Sequence, residues 1–361
     1  MKILYFSTVN WKWIKQRPHF IAEGLADEGI EVEYISLTPF FKQKIDKFPE
    51  ANKNVFVNDK YVIPLASKIS LIETINRCYI QNIIDKPYDV IIITHPIQYQ
   101  YLKKTLEYNP RIIYDCMDNI PYFYEKEYRN KIIELENEIC KKVDNIIVSS
   151  FYLKDKMINQ YGIEENKITV ICNAVARDLV ERKYKVIPEE WILKKKNIVY
   201  IGTIGKWLDI DLLIKYAIAN KDENIYLIGP KENELKVLPS NIYLLPPIEH
   251  KYIVSIIEQA EILIIPFKSG ELIDAVDPVK IYEYKSLNKY VLCSRWKEMI
   301  KHEDDETIYF YEDLKEFEAQ MHDIRTKNIQ NITSLNKCYI EQNNWDKRVE
   351  KYLEVVFKLC N

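Results

Sequence analysis

The feature that most constrains the fold is a regular alternation between short apolar segments and longer amphipathic ones. The apolar segments are rich in β-branched residues and lack polar alternation, which is typical of strands covered on both faces of a parallel sheet. In the longer segments apolar residues recur at helical spacing, as at Ile132, Leu135 and Ile139. The pattern therefore predicts an α/β protein with β-α-β winding. The predicted strands are residues 2–7, 31–36, 89–94, 111–115, 145–149 and 168–172, then 197–201, 224–228, 241–245, 261–266, 289–294 and 307–311.

The two series of predicted strands are separated by a polar segment. A chain of 361 residues is too long for one ordinary α/β core and suits two domains of about 150–180 residues. Residues 176–196 are mostly charged or polar, and we predict that they form a linker. The first Rossmann-like domain is predicted over 1–175 and the second over 197–344. An apolar stripe from Trp345 to Phe357 predicts a final helix over 345–361.

Composition excludes several classes of protein. Hydrophobic residues make up 47% of the chain and charged residues 29%, which indicates a globular protein. The net charge of −3 and the absence of a basic tail argue against nucleic acid as a partner. The seven cysteines are scattered and never spaced C-x-x-C, so neither a disulfide framework nor a zinc site is expected. The first segment is too short for a signal peptide and no apolar run could span a membrane, so we predict a cytoplasmic protein.

Glycine is unusually rare. Only seven glycines occur, about 2% of the chain where about 7% is usual. Dinucleotide-binding turns need glycine so that the backbone can approach a pyrophosphate, yet the segment after the first strand has none. No G-x-G-x-x-G or Walker motif occurs anywhere. The sequence therefore argues against dehydrogenases and P-loop enzymes.

The most informative segment reads Asp277-Pro278-Val279-Lys280-Ile281-Tyr282-Glu283-Tyr284. A helix that begins near Pro278 presents free backbone N–H groups to an anion, and Lys280 adds a positive charge in its first turn. Glu283 lies on the same helix face, where a carboxylate can accept hydrogen bonds from ribose hydroxyls. The alternative is that Lys280 and Glu283 form an ordinary exposed i,i+3 pair.

This segment resembles the donor-binding segment of GT-B glycosyltransferases, the superfamily that includes family 4. The resemblance implies two Rossmann-like parallel-sheet domains facing a central cleft, with a last helix that crosses back onto the first domain. It also implies that Asp277, Val279, Lys280 and Glu283 bind the diphosphate and ribose of a nucleotide sugar. The family's usual earlier glutamate falls on Ala275 here.

Two further segments resemble parts of the same donor domain. Gly202 follows a predicted strand and Lys206 follows four residues later, so backbone and ammonium could both meet phosphate, although a plain β-α turn is the alternative. The backbone around Ile248 would read the edge of the base.

Carboxylates mark the end of a strand in the first domain. Asp115 and Asp118 follow the strand that starts at Arg111, where ligands meet parallel sheets. Retaining family 4 enzymes often have a histidine near this point, whereas this chain offers Asp118 or Asp115. An aspartate is therefore predicted as the general base of an inverting displacement. An ordinary turn is the alternative for Asp118. His95, after the neighbouring strand, is predicted to orient the acceptor or a donor phosphate.

The start of the chain resembles capsule and teichuronic-acid type polysaccharide glycosyltransferases. The pattern W-x-x-Q-R-P-H, from Trp13 to His19, places Trp13 and Arg17 between the first strand and its helix. A tryptophan face suits a sugar ring and an arginine suits phosphate, so both are predicted to contact acceptor or phosphate. A hydrophobic lid over the core is the alternative.

Together these features predict transfer of a sugar from a nucleoside diphosphate sugar, UDP or GDP, to a hydroxyl of a glycan or lipid-linked acceptor. No metal site and no cofactor are expected, because no Asp-x-Asp motif lies in a suitable loop, and peripheral contact with the inner face of the membrane is possible. The alternatives are a sugar-nucleotide epimerase on the same fold and a non-enzymatic two-domain sugar-binding protein.

Overall fold

The computed structural model describes residues 1–13, 15–39, 54–65, 69–176, 187–232, 234–249, 252–327 and 335–360. The chain divides into two compact units. Unit 1 comprises Met1–Cys172 with Trp345–Asn361, and unit 2 comprises Asn173–Asn344. The predicted linker lies partly outside the described residues.

Unit 1 is built on a parallel sheet. Its strands are β1 (Lys2–Ser7), β2 (Glu31–Pro39), β3 (Val55–Val57), β4 (Lys60–Val62), β5 (Val90–Ile93), β6 (Arg111–Cys116), β7 (Asn145–Val148) and β8 (Ile168–Val170). Its helices are α1 (Arg17–Asp27), α2 (Ser70–Ile83), α3 (Lys126–Lys142) and α4 (Phe151–Tyr161). The strand order is β3-β2-β1-β5-β6-β7-β8, with β4 also paired to β2.

Unit 2 repeats the same architecture. Its strands are β9 (Asn197–Ile201), β10 (Asn224–Ile228), β11 (Ile242–Leu245), β12 (Ile262–Ile265), β13 (Val291–Ser294) and β14 (Ile308–Tyr311). Its helices are α5 (Ile210–Ala219), α6 (Ile253–Gln259), α7 (Val279–Ser286), α8 (Leu314–Thr326) and α9 (Lys337–Gln342). The order is β11-β10-β9-β12-β13-β14, and all pairs are parallel.

The twelve strands predicted from apolar runs are confirmed within a few residues at their ends. The central strands β1, β5 and β12 are buried at nearly every residue, which is why their sequences show no polar alternation. The sequence analysis missed β3, β4 and α2. In β3 only the first residue is buried, so this short edge strand has no apolar run to mark it.

The last helix, α10 (Trp345–Cys360), packs on α1 inside unit 1. The Trp345 ring stacks on Phe20 with centroids 4.8 Å apart. Gly24 allows this approach, because a Cβ atom there would lie 2.3 Å from a methyl group of Val349. The end of the chain therefore completes the hydrophobic core of the first unit.

No helix in the part of the chain that the structure describes is both long enough and apolar enough to cross a bilayer.

Candidate functional site

Each sheet has a point where the strand order reverses. In unit 1 the chain runs outward from β1 through β2 and returns to β5 on the other side of β1; in unit 2 the same reversal occurs between β9 and β12. Loops that follow the carboxyl ends of such strands form the usual ligand crevice of open α/β sheets. Trp13, His95 and Gly202 follow β1, β5 and β9 at these points, and Asp118 follows the neighbouring strand β6.

Asp115 and Arg17 form a buried ion pair at this edge of unit 1. Arg17 Nη2 lies 3.1 Å from Asp115 Oδ1, and Tyr5 Oη donates to Asp115 Oδ2 over 3.1 Å. Arg17 Nη1 also donates to the carbonyl oxygen of Ile171 over 2.6 Å. Asp115 has no exposed surface and Arg17 is 4% exposed. Neither group is placed to meet a substrate, because both are enclosed by their mutual contacts.

Asp118 is different. Its side chain is only partly buried, and no hydrogen bond or ion pair to its carboxylate is found among the described residues. Burial raises the pKa of Asp118 to about 7; the Asp115 carboxylate raises it further, while the Arg17 guanidinium lowers it. A carboxylate with a pKa near neutral pH is matched to the task of a general base.

The loop that carries Asp118 is held at each neighbouring residue. Ser149 Oγ donates to the carbonyl oxygen of Met117 over 2.7 Å. The Cys116 thiol lies 3.4 Å from the carbonyl oxygen of Asp118. Lys156 Nζ donates to Asn119 Oδ1 over 2.9 Å. The backbone is therefore fixed on both sides of Asp118.

His95 is buried beside the same edge. Its Nδ1 accepts a hydrogen bond from the backbone N–H of Ile97, which leaves the hydrogen on Nε2 for Tyr124 Oη at 2.9 Å. Burial lowers the pKa of His95 to about 4, although the Glu136 carboxylate opposes this. His95 is thus a neutral group that orients Tyr124, and it has no direct exposure to ligand.

The two tryptophans after β1 have separate roles. Trp11 is buried and packs against the rings of His19 and Tyr34, with centroids 5.0 and 4.7 Å away. Trp13 is partly exposed in the following turn, where its backbone N–H donates to the carbonyl oxygen of Asn10. The hydrophobic-lid interpretation therefore describes Trp11, and Trp13 is the tryptophan that a ligand could reach.

In unit 2, Asp277 is a buried hub. It is 3% exposed and accepts hydrogen bonds from the backbone N–H of Asn173 (2.7 Å), from Tyr282 Oη (3.0 Å) and from Lys301 Nζ (2.7 Å). These contacts fix the segment that leads into α7 and join it to Asn173, also in unit 2. The Asp277 carboxylate is not open to a nucleotide sugar, because its oxygens already accept hydrogen bonds from Asn173, Tyr282 and Lys301.

The start of α7 combines a charged side-chain pair with backbone N–H groups that are available to a ligand. Lys280 Nζ lies 2.8 Å from Glu283 Oε2, and Glu283 is buried while Lys280 is partly exposed. The pair predicted as an alternative therefore exists, but it is not a surface pair. The backbone N–H groups of Val279 and Lys280 find no acceptor among the described residues.

The turn after β9 lies close to α7. Tyr284 Oη accepts a hydrogen bond from the N–H of Ile201, the residue before Gly202, over 3.3 Å. Gly202 itself approaches Gly229 so closely that a Cβ atom on Gly229 would lie 2.0 Å from the Gly202 carbonyl oxygen. The structure thus brings two of the predicted donor segments together through Tyr284, which sequence reasoning missed.

The remaining predicted residues of unit 2 are more exposed. Lys206 is exposed, with no hydrogen bond or ion pair to its side chain in the described ranges. Ile248 is partly buried after β11. Asp209 caps α5 and Asp211 pairs with Lys236. No group of three or more His, Cys, Asp or Glu that could hold a metal ion occurs among the described residues.

Comparison with known proteins agrees with this architecture. Residues 19–179 match the family model described as Glycosyltransferase Family 4. The putative teichuronic acid biosynthesis glycosyltransferase TuaH of Bacillus subtilis is 27% identical over 199 residues, which cover 50% of this chain and 50% of that protein. The match thus spans half the length of this curated relative.

Two solved structures share the fold over nearly the whole chain. Sucrose-phosphate synthase from Thermosynechococcus elongatus has a TM-score of 0.74 at 14% identity, covering 99% of this chain and 98% of that one. HepE of Anabaena, solved in complex with UDP and glucose, has a TM-score of 0.67 at 14% identity, covering 99% of both chains. The predicted GT-B fold, with two parallel-sheet α/β units, is confirmed.

Proposed function

We propose that this chain, which matches the Glycosyltransferase Family 4 model over residues 19–179 and has a GT-B fold, transfers a sugar from a nucleoside diphosphate sugar to a hydroxyl of a glycan or lipid-linked acceptor. The role would be in cell-surface polysaccharide synthesis. The relative TuaH, named for teichuronic acid biosynthesis, supports this assignment. HepE, which binds UDP and glucose, supports a uridine diphosphate donor.

The observation that carries the proposal is the start of α7. Its N–H groups at Val279 and Lys280, which find no acceptor in the described part of the chain, and the positive end of the helix dipole favour a diphosphate. The Lys280 ammonium, now paired with Glu283, can turn to the phosphate while Glu283 accepts hydrogen bonds from the ribose hydroxyls. We propose Gly202 and Lys206 as further phosphate contacts and the backbone near Ile248 as a contact to the base.

We propose Asp118 as the general base. Its carboxylate accepts the proton of an acceptor hydroxyl, and the acceptor oxygen forms a bond to C1 of the donor sugar. The bond from C1 to the diphosphate oxygen breaks, and the nucleoside diphosphate leaves with that electron pair. Lys280 and the α7 N–H groups stabilise the charge that develops on the leaving group. An in-line attack of this kind inverts the anomeric centre, so the anomer of the product is a direct check.

We also propose that the reaction needs no metal ion and no cofactor. Positive charge and a helix N-terminus can do for a diphosphate what a divalent ion does elsewhere. Activity should persist in EDTA and gain little from Mg²⁺ or Mn²⁺. Full loss of transfer in EDTA with recovery on adding Mg²⁺ would contradict this part of the proposal.

Peripheral membrane contact is proposed for unit 1. Leu71, Ile75 and Tyr79 follow one face of α2 and are 68%, 47% and 45% exposed. This stripe fits the surface of a bilayer that carries a lipid-linked acceptor. Co-sedimentation with phosphatidylglycerol vesicles should fall in the Leu71→Ser, Ile75→Ser double variant but not in Leu244→Ser, a matched change in unit 2. Absence of wild-type binding to vesicles would refute the contact.

Donor binding is tested by thermal shift with UDP, GDP, ADP and CMP. At 100 times the dissociation constant a ligand adds about 2.7 kcal/mol of stability. One diphosphate should stabilise the wild type, and Glu283→Gln should reduce that shift. The control is Glu318→Gln on the exposed face of α8. If no nucleotide shifts the wild type while a free sugar does, the proposed function is wrong.

A further inference from the structure

A buried ion pair lies directly behind the loop that carries Asp118. Glu136, on α3, has no exposed surface, and its Oε2 lies 2.6 Å from Lys156 Nζ on α4. Tyr114 Oη donates to Glu136 Oε1 over 2.7 Å, and Tyr161 Oη donates to Oε2 over 2.6 Å. Both oxygens of this carboxylate therefore accept hydrogen bonds.

A pair of this kind is an expensive way to fill a core. Removing two charges from water costs about as much as their attraction returns, and apolar replacements are often as stable. Glu136 is buried on the apolar face of α3 together with Ile132 and Ile139. Stability alone therefore does not account for the pair, and its other contacts become informative.

Those contacts reach the Asp118 loop from both sides. Lys156 Nζ donates to Asn119 Oδ1 over 2.9 Å, immediately after Asp118. The Cys116 thiol, two residues before Asp118, lies 3.8 Å from Glu136 Oε1 and 3.4 Å from the Asp118 carbonyl oxygen. The pair is neutral as a unit, so its effect on the loop is geometric.

We propose that Lys156 is a positioning residue, which with Glu136 holds Asn119 and thereby fixes the Asp118 carboxylate for proton transfer. The inference rests on the proposed function of Asp118, and it assigns no contact with substrate to Lys156 itself. A misplacement of about 1 Å can cost about 10²-fold in rate, so a clamp on the neighbouring residue is enough to matter.

The test separates positioning from stability. Lys156→Met alone leaves Glu136 buried without a counter-charge and should lower the melting temperature. The Glu136→Gln, Lys156→Met double variant removes both charges and should recover most of that temperature. We expect its kcat to stay about 10²-fold below wild type, with an unchanged KM for the donor. Wild-type kcat in a double variant of restored stability would overturn the proposal.

A double-mutant cycle with Asn119→Ala tests the route. If Lys156 acts through Asn119, the double variant should lower kcat no further in the Asn119→Ala background. Additive losses would overturn the route through Asn119.

A titration gives a readout that does not need turnover. The Asp118 carboxyl carbon, assigned with Asp118→Asn, is followed by NMR against pH. Arg17 on α1 and Asp115 on β6 are the charged groups that act on it. In the double variant a released loop should expose the carboxylate, and its pKa should fall from about 7 toward its ordinary value. An unchanged titration would overturn the positioning role, whereas a wild type without any transfer activity would overturn only the proposed function.

Discussion

Asp118→Asn should make the protein more stable at neutral pH while it removes activity. The carboxylate has a folded-state pKa of about 7, against 3.8 for the ordinary group, because the fold buries it and no described residue forms a hydrogen bond or ion pair with it. Below pH 3.8 the group is protonated in both the folded and the unfolded chain and costs nothing. Above pH 7 it is charged in both, and the folded state bears the full penalty.

The size of the effect follows from the pKa difference. Each unit corresponds to about 1.4 kcal/mol, so a difference of about three units sets an upper limit of about 4 kcal/mol. Asp118 is partly exposed, and solvent screening reduces the penalty. We therefore expect Asp118→Asn to raise the free energy of unfolding by about 1–2 kcal/mol at pH 8 and by a smaller amount at pH 4.5, with the difference vanishing only below pH 3.8.

Urea denaturation at pH 4.5, 6, 7 and 8 measures this difference. Asp155→Asn, a change at an exposed aspartate of α4, is the matched control and should show no such trend. In the same preparations, transfer by Asp118→Asn should fall by about 10²–10⁴-fold, the usual contribution of a general base. Wild-type kcat/KM should rise with pH and level off above about 7. A stability difference that does not change with pH would refute the reasoning from burial.

Three further predictions concern the framework of the two units. Gly229→Ala should destabilise unit 2 by at least about 2 kcal/mol, because φ is +149° and the added Cβ would meet the Gly202 carbonyl oxygen. Urea denaturation measures this loss, and a loss below about 0.5 kcal/mol would contradict the prediction. Arg17→Met should cost about 3–5 kcal/mol because it leaves Asp115 buried without its partner, and equal stability to wild type would be the contrary result. Burial, with Lys285 and Lys301, lowers the pKa of His302 to about 4, so stability is lost as pH falls from 6.5 toward 4. His302→Gln should flatten that part of the stability curve, and an unchanged slope would contradict it.

The sequence by itself determined the order of the elements. Strands such as β1, β5 and β12 are covered on both faces, so uninterrupted apolar runs in the sequence indicate their burial. The signal weakens where burial is incomplete, which is why the edge strand β3 was missed. The donor segment at Pro278–Glu283 could also be located, because a helix start and an i,i+3 pair are local features.

Side-chain partnership was decided by the tertiary structure. Asp115 and Asp118 are three residues apart and look equivalent in the sequence, yet Asp115 meets Arg17 across 98 residues and Asp118 meets no partner among the described residues. Asp277 was predicted to contact the donor, but Asn173, 104 residues away, occupies one of its oxygens. Such pairs depend on which loops the strand order brings to one sheet edge, and the local spacing of residues does not indicate which loops these are.

Glu136 lies between these two cases. A carboxylate on the apolar stripe of α3 is visible in the sequence and signals a buried charge. Its counter-charge, Lys156, comes from the next helix, and its contact with the Asp118 loop arises only once α3 and α4 pack on β6 and β7. The sequence thus determines which groups are present and which faces are buried. The fold decides which charges are neutralised and which carboxylate stays open for chemistry, because charges separated by many residues become neighbours only through packing.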